Sequence, residues 1–305
     1  MTTLPEVRVG EPIRHEALSV FPLFSRPGGV VEYLLSEEAI GAGSVTVEEV
    51  GEGGSVPTLL VINAGDCSVL FLEGEELKGA KQNRVLNTSV LVAAHSKTPI
   101  PVSCVEAGRW RYQSRSFTSG GSHSSSKLRR HLKESVARSL KEGGGHTSDQ
   151  EAVWAEVSRQ MDSLGARSET GAMSDTYDRH QDRLNEFRER LKYVEGASGV
   201  AVAVGSQVVA VDVFDRSSTC QKVWDRLLSG VVMDALEAAD KPEKPPEAAD
   251  VEGLLARLRA ATWEPSPAVG EGQEYRSESV PLAHASSLVL GDSVLHGSVV
   301  VESRA

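Results

Sequence analysis

The side chains best able to do chemistry are crowded into one short stretch, Glu73-Gly-Glu-Glu-Leu-Lys-Gly-Ala-Lys-Gln-Asn-Arg84, with Ser103-Cys-Val-Glu-Ala-Gly-Arg-Trp110 close behind. The first packs three carboxylates, two lysines, an arginine and two amides into twelve residues. Carboxylates suit general acid/base work or a hard cation, while guanidinium and ammonium groups suit phosphate. On those grounds Lys81, Arg84 and Arg109 are expected to hold phosphate, Gln82, Asn83 and Asn87 to fix hydroxyls, and Trp110 to stack on a ring. Glu73, Glu76 or Glu106 would be the general acid/base or a ligand to Mg²⁺ or Mn²⁺. Paired carboxylates around a glycosidic bond are the usual hydrolytic arrangement, so hydrolysis is the expected reaction. A second reading stays open, in which the same charges and amides satisfy one another and the protein is a non-catalytic interaction module or subunit. So many donors and acceptors exceed what one turn needs for its own backbone, which favours a ligand site.

Familiar signatures fail in detail. Gly74-Glu-Glu-Leu-Lys-Gly79-Ala-Lys81 resembles a phosphate loop, but Ala80 separates glycine from lysine and Gln82 stands where Ser or Thr must hold magnesium. Cys104 and Arg109 are one residue too close for a cysteine-phosphatase loop. Cys104 belongs to the candidate ligand-binding set by position, although a small buried residue at a strand end is favoured over a nucleophile. The eight histidines form no tight pair and there is no CxxC, so zinc has no support. Glu73, Glu75, Glu76 and Glu106 could hold Mg²⁺ or Mn²⁺, but a solvated acidic turn is favoured. In Arg109-Trp-Arg-Tyr-Gln-Ser-Arg115, aromatics interleave with arginines, which fits either base stacking with phosphate pairing or an edge strand.

Such groups need rigid elements behind them. The polar stretch reads as a loop after the apolar run Ser68–Leu72. Short β-branched runs at Leu18–Phe24, Val30–Leu35, Ser44–Glu48, Leu59–Asn63, Val69–Leu72, Thr88–Val92 and Pro99–Val102 predict a β-sandwich or barrel-like sheet. Thr118–Ser126, rich in Gly and Ser, reads as flexible. Helices are predicted over Lys127–Leu140, Ser148–Ser163 and Asp175–Tyr193, the first with a basic, solvated face at Lys127–Lys133. Capping boxes are expected at Thr147–Gln150 and Ser218–Gln221. Gly205-Ser206 predicts a hairpin, and Val223, Trp224, Leu227, Val231 and Val232 form the core face of a helix. The connector Asp240–Pro246 leads to a helix near Val251–Ala260 and strands at Ser277–Pro281, Ser287–Leu290 and Val294–Val301. The fold class is α+β, with a β-rich domain over 1–117, a helical segment over 118–196 and an α+β segment over 197–305 on the same core.

The 305 residues carry 43 acidic and 32 basic side chains, a formal charge of −11, which disfavours bulk nucleic-acid binding and anionic membranes. Three cysteines at wide spacing and an N-terminus from Met1 without an apolar leader fit a reducing cytoplasm.

The stretches Leu72–Ser89 and Pro99–Trp110, with weaker similarity at Val211–Phe214 and Gly291–His296, resemble the ARPP-1 family. Its name marks association with ADP-ribosylglycohydrolases and rhodanese-phosphatase-type enzymes. The resemblance implies a nucleotide-like small-molecule ligand, NAD-derived or carrying ADP-ribose, and functional association with ADP-ribosylglycohydrolase-type enzymes.

Overall fold

Gly199–Val204 is apolar on successive residues and Gln207–Phe214 is so apart from Gln207 and Asp212, as strands covered on both faces must be, and Gly205 at φ 59° closes them into a hairpin. The computed structural model describes residues 3–26, 31–51, 53–238 and 244–302. It sets this hairpin inside a nine-stranded antiparallel sheet ordered Val7–Val9, Leu18–Ser25, Gly199–Val204, Gln207–Phe214, Ser293–Val301, Ala283–Leu290, Gln273–Ser277 and Glu264–Ser266, with Ile13–His15 beside Leu18–Ser25. Among the described residues the helices are α1 Ser36–Gly41, α2 Ser126–Lys141, α3 Gln150–Ser163, α4 Met173–Arg179, α5 Gln181–Arg190, α6 Ser217–Ala238 and α7 Ala248–Arg259. Alternation sends Phe21, Leu23, Val211 and Val213 against Val251, Leu254, Leu255 and Leu258 of α7. The opposite face, with Val200, Val202 and Phe214, packs on Val223, Trp224, Leu227 and Val231 of α6, so that helical stripe is core as expected.

A six-stranded sheet runs Phe117–His123, Glu75–Gly79, Arg84–Leu86, Ser96–Cys104, Thr58–Asn63 and Val45–Glu49. A three-stranded sheet, Val90–Val92, Ser68–Phe71 and Tyr33–Leu35, shares its core through Val47, Leu59, Phe71, Leu77, Val90, Ile100 and Phe117. The whole is a mixed α+β fold with a curled sheet.

Several local expectations are corrected. The polar stretch is not a loop: Glu75–Gly79 and Arg84–Leu86 are paired strands whose polar side chains, apart from the half-buried Lys78, meet other buried groups instead of water. The Gly/Ser run is not flexible either. Phe117–His123 pairs with Glu75–Gly79 across a bulge between Ser119 and His123, where Gly121 takes φ +69°. The long helix expected to Tyr193 breaks at His180, with φ −105° and ψ 22°, into α4 and α5. Asp149, not Thr147, caps α3 by accepting from Ala152 N at 3.1 Å. Gln150 instead brackets the Cys104 backbone, accepting its N–H and donating to its carbonyl, each at 2.8 Å. The strand expected at Ser277–Pro281 lies at Gln273–Ser277 and ends before Pro281. Val30, the connector positions 240–243 and Met1 fall outside the described residues.

Candidate functional site

On the strand Glu75–Gly79, neighbouring side chains point to opposite faces, so two adjacent glutamates meet different company. Glu75 takes a hydrogen bond from Ser36 Oγ and lies 3.3 Å from Arg226 Nη1. Glu76 takes one from Ser122 Oγ, and its Oε1 has no hydrogen-bond partner among the described residues. Burial pushes the Glu76 carboxyl up to about 7, against the pull of Lys78 and Ser122, with Asp178 and Glu106 adding to the rise. Gly120 lies over it, and a Cβ there would come within 2.8 Å of Glu76 Oε2.

Glu106 has the opposite fate. Arg109 Nε and Nη2 donate to its two oxygens at 2.7 and 2.6 Å, Asn83 N donates at 3.0 Å and Thr170 Oγ1 at 2.9 Å. These donors hold its carboxyl below the usual range despite burial. Arg109 also donates to Ala80 O at 2.7 Å and Asn83 Oδ1 at 3.2 Å, and Gln82 Nε2 donates to Glu106 O at 2.8 Å. Arg84 is fully buried, donates through Nη1 to Gln82 O at 3.1 Å, and keeps Nη2 3.7 Å from Glu49 Oε1. Cys104 is buried, donates to Glu106 O at 3.3 Å, and burial raises its thiol, so it is no activated nucleophile. Asn87 lies apart, donating to His146 O at 2.9 Å and accepting from Ser103 Oγ at 2.5 Å. Lys81 donates to Gly53 O at 2.6 Å, and its ammonium lies 5.2 Å from the ring centroid of Trp110 and 5.0 Å from that of Tyr112. The Arg109–Arg115 segment is thus no edge strand: both aromatics stand out of the fold, flanking a lysine.

Glu73 belongs to a different cluster. Lys133 Nζ donates to it at 2.6 Å, Ser286 and Ser298 at 3.3 and 3.4 Å, and Arg129 Nε lies at 3.6 Å. Arg129 also donates to both oxygens of Asp212, at 2.9 and 2.6 Å. His296 joins Asp212 Oδ1 at 3.0 Å to Ser89 Oγ at 2.7 Å. The expected solvated face of Lys127–Lys133 is corrected here: Arg129 and Lys133, one turn apart, are both buried beneath α2. Burial lowers Lys133 to about 8, with Glu73 opposing. Nothing local in the sequence marks these partners, which come from positions 73, 129, 212 and 296.

The four acids considered for Mg²⁺ or Mn²⁺ therefore go separate ways: Glu73 to Lys133, Glu75 to Arg226, Glu76 to Ser122 and Glu106 to Arg109. Among the described residues, the potential ligand atoms of His15, Glu16 and Glu186 do lie within 4.8 Å of one another. No helix among them is long and apolar enough to cross a membrane.

Beside the Glu106–Arg109 pair a cleft of ≈ 890 Å³ opens between the strand Glu75–Gly79, the segment 109–114 and α4. Asn83, Glu106 and Arg109 line it, together with Lys78, Arg111, Thr118, Asp175 and Asp178. Lys78 and Arg111 form no salt bridge with the described residues, unlike Arg109. Sequence reading passed over both as site residues, although each stands inside a stretch singled out for its charge.

No curated protein and no solved structure matches the chain. The sequence model of the ARG and Rhodanese-Phosphatase-superfamily-associated Protein domain, ARPP-1, matches residues 6–300, a span that takes in the cleft, the buried charge cluster and all seven helices. The chain belongs to the ARPP-1 family, whose name records association with the ADP-ribosylglycohydrolase and rhodanese-phosphatase superfamilies.

Proposed function

We propose that the cleft beside Glu106 and Arg109 binds a phosphorylated, nucleotide-like small molecule of the NAD-derived or ADP-ribose type. The observation that carries this is the pair of cations, Lys78 and Arg111, lining the cleft without a salt bridge among the described residues. Arg109 and Glu106 are the frame: mutually bound and buried, they fix the segment that carries Arg111. Asp175 and Asp178 of α4 line the cleft where they can accept from ribose hydroxyls. The family's association with ADP-ribosylglycohydrolases supports this ligand class. Hydrolysis of a glycosidic bond is the reaction we assign to the carboxylates, because their environments push them apart, Glu76 up to about 7 and Glu106 below the usual range.

The mutual hydrogen bonding of Gln82, Asn83, Glu106 and Arg109 favours a second reading, a non-catalytic interaction module or subunit. A thermal-shift screen separates the two, using ADP-ribose, NAD, AMP and ribose 5-phosphate with and without Mg²⁺ or Mn²⁺. A ligand at about a hundred times its Kd adds roughly 2.7 kcal/mol of stability. The ligand reading expects a shift that Lys78→Ala/Arg111→Ala abolishes while leaving the unliganded Tm unchanged. No shift with any of these compounds would sink it in favour of the interaction module.

A further inference from the structure

The cleft does not stand alone. A second cavity of ≈ 650 Å³ is lined by Glu48, Glu49, Gly51 and Arg115, and it meets the first at Tyr112, Gln113 and Ser114, which line both. The two differ in charge. The first balances Lys78, Arg109 and Arg111 against Glu106, Asp175 and Asp178, with Lys78 and Arg111 outside any salt bridge among the described residues, whereas the second sets two carboxylates against one guanidinium. A phosphate is therefore better placed in the first, beside Lys78 and Arg111, than in the second, where carboxylates outnumber cations.

Two features tell what the second would accept. Glu49 is 6% exposed, and its Oε1 accepts from Lys81 N at 3.3 Å and faces Arg84 Nη2 at 3.7 Å. Its Oε2 has no hydrogen-bond partner among the described residues, an arrangement that leaves one buried acceptor waiting for a donor. Gly54, at φ +73°, lies over that oxygen, where a Cβ would stand only 3.2 Å away. Tyr112 supplies a ring that is 52% exposed, and Lys81 Nζ lies 5.0 Å from its centroid and 5.2 Å from that of Trp110, which is also exposed. A flat exposed ring lining the same cavity as an unpaired acceptor suits a flat ligand edged with N–H.

We propose that the Glu49 cavity is a nucleobase subsite: an amino-bearing purine stacks on Tyr112 and donates to Glu49 Oε2, while its ribose and phosphate cross the Tyr112–Ser114 ridge into the cleft. The assignment rests on the nucleotide reading above and adds the orientation of the ligand and the chemistry of its base. Calorimetric titration of the full chain with AMP, ribose 5-phosphate and purine riboside 5′-monophosphate, which lacks the amino group, tests it. The expected order is AMP about tenfold tighter than the analogue without the amino group, as one hydrogen bond to a charged acceptor allows, with ribose 5-phosphate weakest. Glu49→Gln should remove most of that discrimination. Tyr112→Ala, at a half-exposed position that keeps the test independent of how the Glu49 variant folds, should weaken AMP about tenfold and leave ribose 5-phosphate unchanged. Equal affinities for all three compounds, unmoved by Tyr112→Ala, would overturn the base subsite while leaving the phosphate cleft intact. Binding of none of them would overturn both.

Discussion

Glu76 and Glu106 show how one residue type takes opposite roles from its surroundings. Glu76 has one hydroxyl donor and an oxygen without a partner among the described residues, so burial dominates; Glu106 accepts from four donor atoms, two of them on one guanidinium, so charge stabilisation dominates. The Glu76 value is raised from 4.5 to about 7, so its contribution to stability is fully present below pH 4.5 and is lost as pH climbs through about 7. Glu76→Gln should therefore flatten the decline of stability across that window, by about 3 kcal/mol relative to the parent, in denaturant melts taken from pH 4.5 to 8. An identical decline in both proteins would show that Glu76 is not the titrating group. Arg109→Ala should cost about 3–5 kcal/mol, because it strands a buried carboxylate, and Glu106→Gln/Arg109→Ala should cost clearly less than the sum of the singles. Additive losses in melting experiments would mean that the pair is not coupled.

At the scale of elements, two helical glycines make opposite predictions. Gly230 in α6 presses on the backbone at His123 and Ser124, and an added Cβ would come 2.8 Å from His123 O and closer still to Ser124 O. Gly253 in α7 has nothing within 4 Å of that position. Gly230→Ala should lower the Tm sharply, whereas Gly253→Ala should raise stability by up to about 1 kcal/mol, the ordinary helix-propensity gain. Comparable effects in calorimetry would refute the close approach. The contact also explains why Thr118–Ser126 misled. Its composition is that of a linker, but the small side chains serve to let α6 and the carboxylate of Glu76 come close. The helices α2, α3 and α6 were legible because their apolar spacing survives in one dimension. The break at His180 was not, since the polar residues on both sides of it are good helix formers.

Across the whole molecule, sequence-distant segments are tied by pairing and by charge. Leu18–Ser25 pairs with Gly199–Val204 along six residues, and Glu73 reaches the buried lysine and arginine of α2, which in turn hold Asp212 and Ser286 of the nine-stranded sheet. Removal of residues 1–25 would leave Gly199–Val204 as an open apolar edge. The truncated chain is expected to aggregate, and size-exclusion chromatography with circular dichroism checks this; a soluble, folded product would show that the N-terminal strands are dispensable.

The sequence by itself determined the α+β class, the central hairpin, the core face of α6 and the density of charge over positions 73–110, because periodicity and composition are local. Only the tertiary structure decided that Glu73 pairs with Lys133, that Arg84 is sealed from solvent and that Lys78, Arg111 and Tyr112 face cavities. The reason is physical: whether a charged side chain is a binding group or a buried strut depends on which partner lies within about 3 Å, and those partners arrive from up to more than a hundred residues away along the chain.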